Sequence, residues 1–340
     1  MGRLHQLALE CSSTALSSGA LVPLQTEPVE LEGCEPFVLR RLLSDTPKHL
    51  RPAGPKPNPF LPWDRRLQVE PVGDEHLLLL NKYPVQRGHV LLITQRWQPQ
   101  AGWLASNDWR ALSQVEADTS GLWFFNSCAA AGASQPHRHL QLLPRAEAER
   151  SCPLEPALEA QLAGTAPPWS WRYRLSRRQA CGADARATEL QQLYHRHCRE
   201  LELGDPQRDP VPTKPYNLVL SSTWMMTIER HQEHWAGFSV NALGFAGYLL
   251  ITADADQPWL ERQGPWSLLQ AVSVPQFRDS TDAGSDPLRF GSEQARPQHD
   301  SQHGQADPSD FPPQPPGGTA SPLGRAAGSA LRPLYGGGAG

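Results

Sequence analysis

Within Ser134-Gln135-Pro136-His137-Arg138-His139-Leu140-Gln141, two histidines and a glutamine recur at every second position. If 136–143 is a strand, its period of two puts His137, His139 and Gln141 on one face and Arg138, Leu140 and Leu142 on the other. A neutral imidazole is a competent nucleophile when a neighbour holds Nδ1–H and leaves the lone pair on Nε2. The preceding loop, Asn126 through Ser134, is built mostly of small residues, so its backbone N–H groups can approach a phosphate closely. A phosphate site beside a nucleophile is one reading of this stretch. A His-x-His pair on a strand suits a metal ion as well, and two polar-face histidines with no chemistry have the same spacing.

The flanking sequence predicts the elements that carry these residues. Leu77–Asn81 and His89–Thr94 are apolar and β-prone, and the Pro84 and Gly88 between them are turn chemistry, which predicts a β-hairpin. Ser106, Asn107 and Asp108 are N-cap candidates for a helix from about Asp108 to Thr119, with Trp109, Leu112 and Val115 inward and Glu116 and Asp118 outward. Leu122–Asn126 is expected as a strand and Ser127–Ala133 as a loop. Further on, Ala187–Leu201 and Trp266–Val272 look helical, and Tyr216–Leu220 and Trp224–Ile228 look like strands. The prolines between Thr46 and Trp63 forbid a helix or a central strand and predict an extended loop.

Composition narrows the function classes. With 31 Lys+Arg against 35 Asp+Glu, a net charge of −4, the chain has no overall basic field for a nucleic-acid backbone. No run of about 18 apolar residues is present, so no membrane span is expected. Neither a secretory signal nor a transit peptide is visible, and the six cysteines include no C-x-x-C pair, which together predict free thiols and a cytoplasmic protein. From Gln276 to Gly340 there is no Ile, Val, Met, Trp, Cys or Lys, and such a segment cannot offset the cost of ordering its backbone. The expected organisation is therefore a catalytic portion over 1–150, an irregular or helical insertion over 151–210, a second catalytic portion over 211–275 and a disordered tail over 276–340.

Other clusters carry less. His195-x-His197-Cys198 falls in an expected helix, where i and i+2 diverge, and it and His231-x-x-His234 are expected at the solvated surface rather than around a metal. Arg172, Arg174, Arg177 and Arg178 could attract a polyphosphate, although a solvated basic strand is the more ordinary arrangement.

Extended across its flanks, the stretch from Phe125-Asn126-Ser127 to Gln141 resembles the histidine-triad superfamily, and specifically its ATP adenylyltransferases, also called diadenosine tetraphosphate phosphorylases. Asn58-Pro59-Phe60-Leu61-Pro62, Leu80-Asn81-Lys82-Tyr83-Pro84-Val85, Tyr216-Asn217-Leu218 and Val240-Asn241-Ala242-Leu243-Gly244-Phe245-Ala246-Gly247 resemble the same family, in order, from about Lys56 to Ile251. The resemblance implies an α+β fold, a mainly antiparallel sheet flanked by helices. It implies reversible phosphorolysis of diadenosine tetraphosphate to ATP and ADP, with His139 becoming adenylylated and inorganic phosphate taking up the adenylyl group. His137 would support His139 and the developing phosphoryl charge. Gln141 stands where hydrolase branches carry a third histidine, which favours transfer over hydrolysis. Asn126, Ser134, Gln135 and Lys56 would hold phosphates, and Asn241 and Phe245 would contact nucleotide. Mg²⁺ is expected on the polyphosphate rather than in protein ligands, and the partners are dinucleoside polyphosphate, ATP, ADP and phosphate, with a monomer favoured. The rivals are a hexose-1-phosphate uridylyltransferase and an adenine-nucleotide sensor without turnover. One departure is Cys128, where the family usually has Gly and where a side chain could crowd the loop or alter its turn.

Overall fold

Short runs of apolar residues can bury both faces of a strand, and the runs at 77–80, 90–93 and 122–125 do so. The computed structural model describes residues 2–44, 58–146, 149–179 and 182–276, all within one unit, Met1–Ala283. The first half contains α1 (Arg3–Ser17), β1 (Thr26–Val29), β2 (Val38–Leu42), β3 (Gln68–Val72), β4 (His76–Leu80), β5 (Val90–Thr94), α2 (Ser106–Asp118), β6 (Gly121–Asn126) and β7 (His139–Pro144). The second half contains α3 (Glu155–Leu162), β8 (Tyr173–Arg177), α4 (Ala183–Glu200), β9 (Tyr216–Leu220), β10 (Trp224–Glu229), β11 (His234–Trp235), β12 (Phe238–Ser239), β13 (Tyr248–Ile251) and α5 (Gln257–Val272).

Eight strands form one sheet in the order β3-β4-β5-β7-β6-β9-β10-β8, every neighbouring pair antiparallel. A three-stranded sheet, β1-β2-β13, contains the parallel pair β2–β13, and β11 and β12 form a small hairpin. The fold is thus α+β and mainly antiparallel, with the hairpin at β4–β5 as expected.

Alternation along the strands assigns each side chain to a layer. Leu78, Leu80, Val90, Leu92, Leu140, Leu142, Leu218 and Leu220 pack against α1, α2 and α4 through Leu4, Trp109, Leu112, Val115, Leu190 and Tyr194. Their neighbours Phe124, Val219, Met226 and Ile228 face the opposite layer, where Leu158, Phe245, Leu260 and Leu268 lie. His139 and Gln141 alternate with Leu140 and Leu142, so they project on the face away from α2 and α4.

Several elements differ from expectation for identifiable reasons. Helix α2 starts at Ser106 because Asp108 sits one turn inside, its carboxylate accepting from Ala105 N–H at 2.8 Å rather than capping from outside. Glu116 does not face solvent: it pairs with Arg178, both side chains at most 4% exposed, whereas Asp118 stays partly exposed and accepts from Arg3 and Leu4 N–H at the start of α1. Strand β7 starts at His139, three residues after Pro136, which has no N–H to give a ladder; His137 makes only an isolated bridge to Pro99. The 151–210 segment is built into the main sheet, supplying the edge strand β8 and the helix α4 that packs on α2. The helix expected at Trp266–Val272 is the second arm of α5, separated from the first by Gly264 at φ 76°. The tail from 277 onward lies outside the described residues.

Candidate active site

The period of two on β7 brings His139 and Gln141 to one face, and the Pro99–His137 bridge extends that line to His137. His139 Nδ1 lies 2.8 Å from the backbone carbonyl oxygen of His137. A carbonyl only accepts, so Nδ1 carries the proton and the lone pair of the neutral ring is on Nε2. Burial at 3% exposure pushes the His139 pKa down to about 4, so the ring is neutral at pH 7. These are the two conditions for a nucleophilic imidazole.

His137 has a different task from the one expected of its ring. Nε2–H donates to the Thr94 carbonyl at 2.8 Å, and Nδ1 accepts from the Asn58 amide at 3.1 Å. Both nitrogens are engaged by protein groups, so the ring fixes the strand, and His137 orients the His139 ring through its backbone carbonyl. The Phe60 ring centroid lies 5.5 Å from each imidazole. Gln141 is held by His89, whose Nε2 is 3.1 Å from Gln141 Oε1; burial lowers the His89 pKa to about 3, keeping it neutral. The Gln141 carbonyl end is thereby occupied.

Between β6 and β7 the paired register ends at Phe124↔Gln141, two steps short of Asn126 and His139. The Gln100 side chain fills the opening: Oε1 accepts from His139 N–H at 2.8 Å, and Nε2 donates to the Asn126 carbonyl at 2.8 Å and the His139 carbonyl at 3.3 Å. Gln100 is 2% exposed and was not singled out from sequence, where a lone glutamine in a loop carries no signal.

Asn126 is buried rather than open to a ligand. Its Oδ1 accepts from Asn217 Nδ2 at 2.8 Å and from Ala242 N–H at 2.9 Å. Asn217 also donates to the Ala131 carbonyl at 2.8 Å and accepts from Arg230, a fully buried guanidinium that further donates to the carbonyls of Gln232, Val240 and Val272. Burial lowers the Arg230 pKa to about 9, which still leaves the group charged at pH 7. This chain of bonds ties β6, β9 and the 240–247 segment to the loop before the histidines. Asn217 stood within a recognised motif without an assigned role, and Arg230 stood outside every motif.

The loop itself turns at Gly132, φ 85°, where a Cβ would lie 2.7 Å from Asn241 Cβ and 2.9 Å from Asn241 Cα. Asn241 thus forms the floor against which the loop presses, its Oδ1 accepting from Leu243 N–H at 2.9 Å. Cys128 has φ −158°, extended backbone that any residue adopts, so the side chain does not alter the turn. Ser134, Gln135 and Cys128 line a pocket of about 380 Å³. Phe245 is a correction: it is fully buried in the core, edge-on to Trp171 and beneath Arg230 at 5.1 Å, with no surface for a nucleotide. Lys56 lies outside the described residues.

Opposite the imidazoles, Arg138 is clamped by Asp108 at 3.0 Å and donates to the Pro99 carbonyl at 2.9 Å, and Asp108 also meets His76 at 2.8 Å. The arginines expected as a possible polyphosphate attractor are paired with acids: Arg172 with Glu202 and Glu229, Arg174 with Glu200, Arg177 with Glu159 and Arg178 with Glu116. His197 is a core residue between Ser176 and Thr227, not a surface histidine. Among the described residues no group of three or more His, Cys, Asp or Glu is arranged to hold a metal ion, all five described cysteines are free, and no helix is long and apolar enough to cross a membrane.

Comparison with known proteins adds the following. The Ap4A phosphorylase N-terminal domain matches residues 1–160 and the ATP adenylyltransferase C-terminal domain matches residues 167–275. The chain is 40% identical over 77 residues to Protein APA1 of Saccharomyces cerevisiae, a match covering 21% of this chain and 24% of that protein. It is 34% identical over 104 residues to diadenosine 5',5'''-P1,P4-tetraphosphate phosphorylase 2 of the same yeast, covering 26% of this chain and 32% of that one. The matched segments thus span only a quarter to a third of these curated relatives. The crystal structure of yeast Ap4A phosphorylase Apa2 in complex with Ap4A shares the fold with a TM-score of 0.61 at 20% identity, over 81% of this chain and 98% of that one.

Proposed function

Since the chain belongs to the family defined by the Ap4A phosphorylase N-terminal and ATP adenylyltransferase C-terminal domains, we propose that it is a nucleotidyltransferase that splits diadenosine tetraphosphate with inorganic phosphate into ATP and ADP, reversibly. The observation that carries this reading is the state of His139: neutral, Nδ1–H fixed on the His137 carbonyl, lone pair on Nε2. In the first step Nε2 attacks an α-phosphorus, an N–P bond forms, and the P–O bond to the β-phosphate breaks with its electron pair leaving on ATP. In the second step a phosphate oxygen attacks the same phosphorus, the N–P bond breaks, and ADP leaves with His139 neutral again. Two in-line displacements divide one difficult transfer into two easier ones.

The residues around His139 suit these roles. Backbone N–H groups of the 128–134 loop and the Ser134 hydroxyl would hold phosphate oxygens, and the Gln141 amide would donate to the α-phosphoryl group. Lys56 would meet the polyphosphate from its own loop. Mg²⁺ would arrive on the polyphosphate, whose charge it offsets.

Incubating the purified chain with Ap4A in the absence of phosphate, beside His139→Ala, tests the reading by intact-mass spectrometry. The expected result is a gain of one AMP that is lost on adding phosphate and absent from the variant. No adduct, together with no ATP or ADP on adding phosphate, overturns it.

A further inference from the structure

Three residues after the end of β5 stands Trp97, 55% exposed although large and apolar, among the residues that line a pocket with Cys128, Ser134 and Gln135. Apart from Gln100, whose amide is taken up between β6 and β7, the remaining walls, Pro99, Ala101, Ala129, Ala133 and Pro136, are small and apolar. A volume of about 380 Å³ falls within the usual range for small-molecule sites, and a mostly apolar pocket with an exposed indole and a few polar groups is the form such sites take. The polar end carries an unmet demand: Gln135 Oε1 is buried and has no hydrogen-bond partner among the described residues. A buried acceptor left without a donor is costly, and a bound hydroxyl or N–H would remove that cost. None of the lining residues belongs to the apolar cluster of Phe60, Leu77, Leu79, Leu91 and Ile93 beside the two imidazoles, so the pocket is a second apolar surface near the histidines.

We propose that this pocket binds the nucleoside at the leaving end of the dinucleoside polyphosphate, with its base stacked on Trp97 and a ribose hydroxyl donating to Gln135 Oε1. The proposal rests on the phosphorylase reading above. A substrate with a nucleoside at each end needs two places for them. The α-phosphate of the transferred end must lie at His139 Nε2. The pocket is lined by residues of the 128–135 loop, and the part of the substrate that passes beyond that loop is the part that leaves. Trp97, Gln135 and Ser134, all lining the one pocket, would then meet base, ribose and phosphate respectively. Base stacking on an aromatic side chain tolerates any purine, so this subsite accepts a guanine at the leaving end as readily as an adenine.

The test compares two ligands of equal phosphate number, Ap4A and adenosine 5′-tetraphosphate, which lacks the second nucleoside. Their affinities are measured by calorimetry on His139→Ala and on the same chain with Trp97→Ala or Trp97→Phe; Trp97 is largely exposed, so these changes spare the core. The expected result is about tenfold weaker Ap4A binding for Trp97→Ala, the size that loss of one stacking partner gives, with adenosine tetraphosphate unchanged and Trp97→Phe restoring most of the loss. Equal loss for both ligands, or no loss for either, overturns the assignment. The two readings fail separately. Turnover of Ap4A by the wild-type chain with binding indifferent to Trp97 removes the subsite and keeps the phosphorylase, whereas Trp97-dependent binding without turnover does the reverse.

Discussion

The two nitrogens of His139 differ in function because they face different atoms, and the pH dependence follows from that. On the proposed mechanism, protonating Nε2 would remove the nucleophile, and burial holds that event near pH 4 rather than near the ordinary value of about 6.5. The rate of adenylylation in a single turnover should therefore stay flat from pH 8 down through 6 and fall only below about 5; an acid limb near 6.5 would show the ring is not desolvated in solution. Two loop residues make opposite predictions. Cys128→Gly should change kcat/KM by less than about twofold, because the φ of −158° needs no glycine. Gly132→Ala should lower it by two orders of magnitude or more, because a Cβ at φ 85° strains the backbone and meets Asn241. At this scale the sequence was informative about which side chains share a face with His139, since period two and residue type are local properties. It was silent on Gln100 and Arg230, whose importance comes from what the fold places beside them, and it pointed to Phe245 through a motif that serves packing.

The opening of the β6–β7 ladder at Asn126 and His139 is the element-level feature that a sequence cannot display, because it depends on a loop residue inserted between two strands. The strands themselves were legible from apolar runs and turn residues; the opening was not. Gln100→Leu keeps the shape but leaves His139 N–H and the Asn126 carbonyl without their partner, each a loss of about 1–3 kcal/mol. Steady-state kinetics should show kcat reduced by roughly one to two orders of magnitude, since 1.36 kcal/mol is tenfold, with the KM for phosphate little changed. A drop in KM-determined affinity alone would mean that Gln100 touches substrate instead of holding the strand. Helix α2 was placed correctly by its inward Trp109, Leu112 and Val115, yet Glu116 could not be assigned to Arg178 without knowing that β8 and α2 converge on it.

For the molecule as a whole, three buried neutral histidines govern acid stability. Folding lowers the pKa of His89 and His197 to about 3 and of His139 to about 4, below the unfolded value of about 6.5. Between these values the unfolded chain binds more protons, so stability declines as pH falls below about 6.5. Asp108, whose pKa is also lowered in the folded state, contributes its loss only at pH values below the ordinary carboxylate range, outside that window. The urea midpoint should accordingly be lower at pH 5 than at pH 7.5; an equal midpoint would place these rings in water. Phe245→Ala should cost about 3–5 kcal/mol of stability, read from the same denaturation curves, while leaving nucleotide KM values within a few-fold in the folded fraction. The two matched domains, 1–160 and 167–275, do not correspond to two bodies. Strand β9 of the second pairs with β6 of the first along Trp123↔Leu220 to Asn126↔Asn217, and β13 of the second pairs with β2 of the first. Between them lies Gly164 at φ 72°, with open space where a Cβ would be. A nick there severs no strand, so two separately translated fragments, each insoluble alone, should reassemble into one working enzyme, and the chain could serve as a two-part reporter whose signal is the rejoining of its own sheet.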